Sequence, residues 1–247
     1  MQATGSNHPS TAYRLSIHVL VDGFSVSIYD SVGRQAWHER MPLPEGDSQT
    51  KASALRDMLL REPVSLHSYA QVDVVSHAPS TYMPVELFRR SDVPSVYRLT
   101  FSSLKLNNSD IRHRILPGMD VVEIFSLNQV LVQMLTDLYA QVNLMGRAGQ
   151  VVCESVEHSR TRGGTEPRMY VHAEGVDLHV CVLAGTQLRF ACTYQANTDA
   201  DRVYYLMAVW QNMKMDVQKN TCLLNQEGHS LADELRNYIL HIEICAK

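Results

Sequence analysis

Residues 15–39 alternate between apolar and polar positions in the manner of a β-meander. Apolar residues occupy every second position from Leu15 to Val21, and Asp22-Gly23 offers a tight turn into a second run rich in β-branched residues. Another turn at Gly33 leads into a third run. The pattern predicts three consecutive antiparallel strands joined by short turns.

A helical spacing follows these strands. Asp47 or Ser48 can cap a helix in which apolar residues recur three and four positions apart, and a short strand is predicted at 72–75. After a further predicted strand at 121–125, a helix beginning at Ser126 carries the strongest helical pattern of the chain. We expect this helix to continue as far as the glycine-rich segment that follows it.

The same order of elements occurs a second time. Aligning Gly23 with Gly175, 152 positions later, brings two predicted hairpins into register without gaps. The offset also superposes residues at turns and element ends: Asp22 on Glu174, Gly33 on Gly185, Asp47 on Asp199 and His77 on His229. After its first helix, the second copy continues with a strand at 221–224, a helix capped by Ser230 and a last strand at 241–245. The chain is therefore predicted to contain an internal duplication.

Three hairpin-linked strands, a helix, a strand, a helix and a closing strand are the order of a ribonuclease-H-like unit, which is a mixed sheet with helices on its faces. Two such units in tandem predict a fold of α+β and α/β character in the actin-like ATPase arrangement. We predict a strand at 151–156, followed by a flexible connection at 160–167. The expected organisation is a disordered tail at 1–12, a first unit at 13–158 and a second unit at 159–247.

Four ordered segments of the chain resemble a known family. They are LSIHVLVDGFSVSIYD, MPVELFRR, TDADRVYYLMAVW and LLNQEGHSLADELRNYI. The chain resembles, from about Tyr13 onward, an uncharacterised bacterial domain-of-unknown-function family whose fold is of the actin-like ATPase type. It is more remotely similar to bacterial actin relatives that act in pilus assembly and cell division. The resemblance implies a fold and no activity, because fold alone does not transfer function.

The resemblance implies where a nucleotide would bind. Actin-like ATPases hold it between their two units, and the first hairpin of each unit presents an acid, any residue, then glycine. Here the acids Asp22 and Glu174 directly precede Gly23 and Gly175, so each acid stands one position too late. A shift of one residue in a strand turns the side chain to the opposite face. We therefore expect no hydrolysis unless a bulge in both hairpins restores the register.

In such a fold, the part of the nucleotide site that contacts the adenine carries a double glycine, which opens a helix after the fourth strand of the second unit. In this chain Gly228 is kept and His229 replaces the second glycine. A simple strand-to-helix turn needs the same glycine, so both interpretations stay open. If the protein binds a nucleotide, the predicted binding residues are Asp22, Gly23, Glu174, Gly175, Gly228 and His229, and the cofactor is ATP with magnesium. Otherwise no cofactor and no catalytic residue is expected.

Two other kinds of site can be considered in the second copy. A nuclease would need converging carboxylates on two metal ions, for which the eligible acids are Glu174, Asp201, Glu227 and Asp233. Acids at helix starts are explained by the helix dipole without a metal. His172 and Glu174 share a strand face, but neither His172 nor the nearby His179 has a third ligand in the sequence pattern. We predict no metal site.

Aromatic residues are concentrated near one predicted helix. Tyr204, Tyr205 and Trp210 could form an adhesive face, although aromatic residues at this spacing more often belong to a core. Both interpretations remain open from the sequence.

Composition narrows the class of protein. The 247 residues carry 22 Lys and Arg against 26 Asp and Glu, a net charge of −4, so nucleic acid is not an expected partner. No apolar run approaches the ~20 residues that cross a bilayer, and the start is polar without a leader pattern. Five cysteines without a C-x-x-C pair predict reduced thiols. We therefore predict a cytoplasmic protein that binds another protein as a non-catalytic module or scaffold with a degenerate nucleotide cleft. The alternative is a nucleotide-binding protein or weak Mg-ATPase that uses the cleft between the units.

Overall fold

The computed structural model describes residues 13–245, and the predicted tail at 1–12 lies outside the described residues. The strands are β1 (Tyr13–Val19), β2 (Gly23–Tyr29), β3 (Gln35–Pro42), β4 (Tyr69–Ser76), β5 (Thr81–Pro84), β6 (Ile111–Ile115), β7 (Val121–Ser126), β8 (Asn143–Gly146), β9 (Pro167–Glu174), β10 (Asp177–Ala184), β11 (Gln187–Gln195), β12 (Thr221–Leu224) and β13 (His241–Ile244). The helices are α1 (Ser48–Leu59), α2 (Val93–Thr100), α3 (Gln129–Leu138), α4 (Arg147–Arg162), α5 (Asp199–Asn212) and α6 (His229–Leu235). Within 13–245 no helix has the length and apolar character needed to span a membrane.

The chain divides into two compact units. The first consists of residues 13–78 and 127–145, and the second of residues 79–126 and 146–245. Position 158, the predicted end of the first unit, lies inside α4. The predicted division after residue 158 stays a proposal.

The first unit contains one five-stranded sheet in the order β3-β2-β1-β4-β8. β1 pairs with β2 antiparallel and with β4 parallel. Of the apolar residues in the predicted alternation, Leu15 and Ile17 are fully buried and Val19 is half-buried, whereas Val21 lies beyond the end of β1 and is exposed. Helix α1 packs with α3. Asp47 caps α1 because its carboxylate accepts a hydrogen bond from the amide of Thr50 at 2.8 Å.

The second unit repeats this order in the sheet β11-β10-β9-β12-β13. Its core contains the fully buried Trp210 of α5 together with apolar residues of β9 and β10. A three-stranded sheet in the order β5-β7-β6 belongs to the same unit, and α2 packs against its strands β6 and β7. Both units therefore have mixed sheets flanked by helices, which confirms the predicted fold class.

The duplication is confirmed in the order of strands, but the two first turns differ. Gly23 is the first residue of β2 and pairs with Pro42, whereas Gly175 lies inside a two-residue turn with a φ of +59°. Gly23 is required because a Cβ there would stand 2.2 Å from the carbonyl oxygen of Met41. Glycine is favoured at position 175 because residues that carry a side chain rarely adopt a positive φ. The aligned glycines therefore serve different purposes.

Two predictions for residues 126–156 are wrong: the strand expected at 151–156 and the bounds of the helix expected from Ser126. The expected strand at 151–156 belongs to α4, whose buried residues recur with helical spacing: Ala148, Val151, Val152, Ser155, Val156 and Ser159. The valines are β-branched, but the spacing of buried positions decides the conformation. The helix expected from Ser126 begins at Gln129, with Asn128 as its cap, and ends at Leu138. It ends at the extended backbone of Tyr139, and residues 143–146, which were expected to be helical, form the edge strand β8.

Candidate functional site

The acid of the first hairpin is held in an ion pair within its own unit. Nη2 of Arg40 on β3 donates to Oδ1 and Oδ2 of Asp22 at 2.9 and 2.7 Å. The backbone carbonyl of Asp22 accepts from the amide of Leu43 at 2.8 Å, which ties the turn to the end of β3. The pairing of β1 with β2 is continuous from Arg14 to Val19, so this stretch before the turn contains no bulge.

The acid of the second hairpin is also paired with an arginine. Nε of Arg147 donates to Oε2 of Glu174 at 2.8 Å, and its Nη2 lies 2.7 Å from Nε2 of His172. A third nitrogen of the same guanidinium, Nη1, donates to the side-chain oxygen of Gln150. Oε2 of Glu174 is 3.7 Å from the His172 ring, so the predicted shared face of these two residues is confirmed.

A buried carboxylate fixes the helix that carries Arg147. Glu123 of β7 is completely buried and accepts hydrogen bonds from the amides of Gly146 and Gly149, at 3.3 and 2.9 Å, at the start of α4. Ser80 Oγ and Arg114 Nε also donate to it, at 2.9 and 3.0 Å. Burial raises the pKa of Glu123, and the charge of Arg114 and these hydrogen bonds oppose the rise. The anchoring places Arg147, the first residue of α4, beside the hairpin.

The two glycines at the start of α4 make room for this carboxylate. A Cβ on Gly149 would lie 2.1 Å from Oε2 of Glu123, and one on Gly146 would lie 2.2 Å from Oε1. The carboxylate occupies the positive end of the α4 dipole, where a negative charge is favoured. Gly-Arg-Ala-Gly is therefore a packing motif for Glu123.

A second acid faces the Glu174 hairpin. Asp177 is the strand partner of Glu174 across the turn. Burial raises the pKa of Asp177, and the negative charge of Glu174 adds to the rise. Arg202 of α5 donates to the carbonyl oxygen of Gly175 between them. The turn thus holds two neighbouring carboxylates, of which Glu174 is paired with the guanidinium of Arg147.

The predicted adenine-end residues follow β12, the parallel neighbour of β9. After Leu224 the side chain of Asn225 bonds both backbone groups of Ala173, with its Oδ1 3.0 Å from the amide and its Nδ2 2.8 Å from the carbonyl oxygen. A single 3-10 turn, Gln226–Gly228, then leads directly into α6 at His229, whose Nδ1 contacts the Gln226 carbonyl oxygen. In parallel neighbours the strand ends share one sheet edge. The structure therefore brings Gly228 and His229 to the same edge of the second unit as Glu174 and Gly175.

Of the remaining predicted residues, Glu227 is exposed in the 3-10 turn before α6, and the others have local partners or belong to the first unit. Asp22 and Gly23 lie in the first unit. Asp201 completes a capping box with Thr198, and Asp233 pairs with Arg236 one turn further along. Among residues 13–245 no group of three or more histidine, cysteine and acidic side chains stands close enough to hold a metal ion. Whether the predicted residues bind nucleotide stays a prediction.

Sequence reasoning missed the arginines that pair with the turn acids. Arg40 is 18 positions from Asp22, and Arg147 is 27 positions from Glu174. The signal for Arg147 was the Gly-Arg-Ala-Gly segment, which was interpreted as the end of a helix although it is the start of one. The register of β3 against β2 brings Arg40 beside the turn, and no local sequence pattern predicts this contact.

Comparisons with known proteins agree with this architecture. A crystal structure from Bacteroides thetaiotaomicron VPI-5482, described as a protein with actin-like ATPase fold and unknown function, matches with a TM-score of 0.78 and 20% identity over 98% of this chain and 94% of that one. A structure described as the PilM-PilN type IV pilus biogenesis complex matches with a TM-score of 0.53 and 9% identity, over 94% and 88% of the two chains. At these identities the likeness shows the fold alone. No curated protein sequence gives a significant match.

The sequence profile of one family covers residues 2–242. Its description is Protein of unknown function (DUF3822), which agrees with the resemblance inferred from the four sequence segments. The chain belongs to this family.

Proposed function

We propose that the protein is a non-catalytic binding or scaffold module whose two nucleotide turns are degenerate. The observation that supports this most directly is that each turn acid is bound by an arginine of its own unit. Asp22 is paired with Arg40, and Glu174 is paired with Arg147. An acid that organises water around magnesium must be available to the metal, and here an arginine competes for each carboxylate.

The glycines of the turns support the same proposal. In an ATPase their purpose is to let the backbone approach a phosphate. Gly23 instead admits the carbonyl oxygen of Met41, and Gly175 supplies a positive φ in a tight turn. Both glycines are thus explained by the packing of the hairpins alone.

A protein is the proposed partner. The structure described as the PilM-PilN complex indicates that a chain of similar fold can occur in a protein assembly. We extend this to the present chain only as part of the proposal. We also propose a cytoplasmic location. The five cysteines all lie within the described residues and are free thiols, as is usual in a reducing compartment.

Thermal unfolding with and without millimolar Mg-ATP, Mg-ADP and Mg-GTP tests the proposal. We expect the midpoint to be unchanged, whereas a nucleotide present at about 100 times its dissociation constant would stabilise the protein by about 2.7 kcal/mol. A magnesium-dependent shift that Asp22→Asn and Glu174→Gln abolish would overturn it. Asp30→Asn is the matched control, because Asp30 also pairs with an arginine, Arg34, at an exposed turn.

The second candidate is a nucleotide-binding protein or slow Mg-ATPase. One observation favours it: apart from the two neighbouring residues of the chain, no atom lies within 4 Å of where a Cβ on Gly175 would stand, although Arg202 bonds the Gly175 carbonyl oxygen. A phosphate could approach the backbone of this turn. In that case the same experiment gives the magnesium-dependent shift, and phosphate release should then be measured on wild-type protein and on Glu174→Gln.

A further inference from the structure

Helix α5 carries a second apolar stripe that the core covers only in part, since Val203 and Met207 pack against the core but remain half-buried. Leu206, Val209 and Trp210 face the core of the second unit and are buried. A separate stripe with helical spacing faces a surface groove beside α6 and consists chiefly of Val203, Tyr204, Met207 and Ala208. The outer part of this stripe, which includes the exposed Tyr204, is available for another surface.

The groove between α5 and α6, called here the α5–α6 groove, is lined on its other wall by Glu234, Asn237 and Tyr238. Its volume is about 740 Å³. The two tyrosines that line the groove are exposed to solvent: Tyr204 is 70% exposed and Tyr238 is 55% exposed. Exposed tyrosines beside an apolar floor are typical of protein-binding surfaces.

The ring of Tyr204 is supported from within the unit. It meets the ring of Tyr205 edge-on at 5.5 Å, and Tyr205 is stacked on Tyr194 with centroids 4.6 Å apart. A side chain that is already held loses little conformational entropy when a partner binds. The sequence left open whether these aromatic residues form a core or a surface, and the structure separates them: Trp210 is core and Tyr204 is surface.

The charge at the groove selects the partner. Glu234 forms no ion pair with any side chain of the described chain, whereas the adjacent Asp233 pairs with Arg236. An uncompensated carboxylate beside apolar side chains attracts a cationic group and repels phosphate. Nucleic acids and anionic lipid surfaces are therefore disfavoured, and a peptide segment with Lys or Arg is favoured.

The length of the groove selects the form of the partner. The lining residues on α5 run from Ala200 to Gln211, a rise of about 16 Å or three helical turns. We propose that the α5–α6 groove binds an amphipathic helix of a partner protein, with its apolar stripe against Met207 and a Lys or Arg against Glu234. This inference rests on the proposed function as a binding module, of which it names the surface and the partner.

Two fluorescein-labelled helical peptides of 14 residues test the inference by anisotropy. Both carry Leu at i, i+3, i+4 and i+7. One has Lys at the flanking positions, and the other has Glu at the same positions. We expect wild-type protein to bind the Lys peptide at least about tenfold more tightly than the Glu peptide. Glu234→Lys should reverse this preference, a result that mere loss of structure cannot produce.

Variants at the walls complete the test. Tyr204→Ala and Tyr238→Ala are each expected to weaken binding of the Lys peptide by about tenfold or more, because exposed aromatic anchors dominate such interfaces. Leu99→Ala on α2 is the matched control, since Leu99 is 86% exposed and lies elsewhere on the unit. Melting curves establish that each variant is folded.

Three outcomes overturn the inference. They are absence of binding by either peptide at about 100 μM, equal binding of both peptides, and a dimer of the protein that Tyr204→Ala dissociates, which would make a second copy the occupant. Repeating the titration with Mg-ATP separates this inference from the proposed function. A nucleotide shift with intact peptide binding contradicts only the degenerate turns, and absent peptide binding without a nucleotide shift contradicts only the groove.

Discussion

Nε of Arg147 donates a 2.8 Å hydrogen bond to Oε2 of Glu174, and the arginine side chain is only 11% exposed. The guanidinium also contacts His172 and Gln150, so three side chains depend on one cation. In a catalytic actin-like turn the acid serves a metal, whereas here Glu174 is bonded to the first residue of α4. This difference motivates the first prediction.

Removing the Arg147 guanidinium should destabilise the protein. We expect Arg147→Ala to lower the free energy of unfolding by about 1–3 kcal/mol, because Glu174 and His172 lose a partly buried donor. Urea unfolding measures the change. Arg34→Ala is the control, since Arg34 is 81% exposed and solvent screens its pair with Asp30, so that its loss should change the stability little. Equal losses in the two variants would contradict the structural role of Arg147.

Adding one methyl group at the start of α4 should collide with the buried carboxylate. We expect Gly149→Ala to cost about 1–3 kcal/mol, because its Cβ would stand 2.1 Å from Oε2 of Glu123. The double variant with Glu123→Ala tests the cause. On that background the additional effect of Gly149→Ala should be much smaller, a non-additivity that a double-mutant cycle measures. Strict additivity would rule out the steric explanation.

Acid should weaken the fold partly through His113. Burial lowers the pKa of His113 below its ordinary 6.5, and the charge of Arg90 adds to the effect. Between the lowered pKa and 6.5 the unfolded chain binds more protons than the folded one, so stability is lost as the pH falls through this window. Urea unfolding at about pH 7.5 and about pH 5.5 should show a smaller loss for His113→Gln than for wild type. The same loss in both proteins would assign the acid sensitivity to other groups.

The buried thiols should resist alkylation. Cys181 and Cys222 are fully buried, and burial raises the pKa of each to about 12. Since the thiolate is the reactive form, we expect neither residue to react with iodoacetamide at about pH 8 in the folded protein. Both should react in concentrated urea. Peptide mass spectrometry measures the modification, and rapid labelling of Cys222 without denaturant would contradict the buried core.

Much of the fold could be predicted from the sequence. The alternation at Leu15, Ile17 and Val19 places β1, and the helical spacing after Asp47 places α1, because both signals arise from neighbouring positions on one element. The alternation runs too far at Val21, which lies beyond β1. The 152-residue offset anticipates that the second sheet repeats the first, and the structure confirms it. The prediction at 151–156 is wrong because three β-branched valines outweighed the wider spacing of buried positions.

The sequence by itself determined the three-stranded meander and the helix that follows it in each copy, and the displacement of Asp22 and Glu174 by one position. Only the tertiary structure decided what these acids contact, because Arg40 and Arg147 reach them through strand register and the docking of α4. It also decided that Trp210 is buried while Tyr204 is exposed on the same helix. Local patterns record which positions are apolar, and the packing of other elements determines which of those positions remain uncovered.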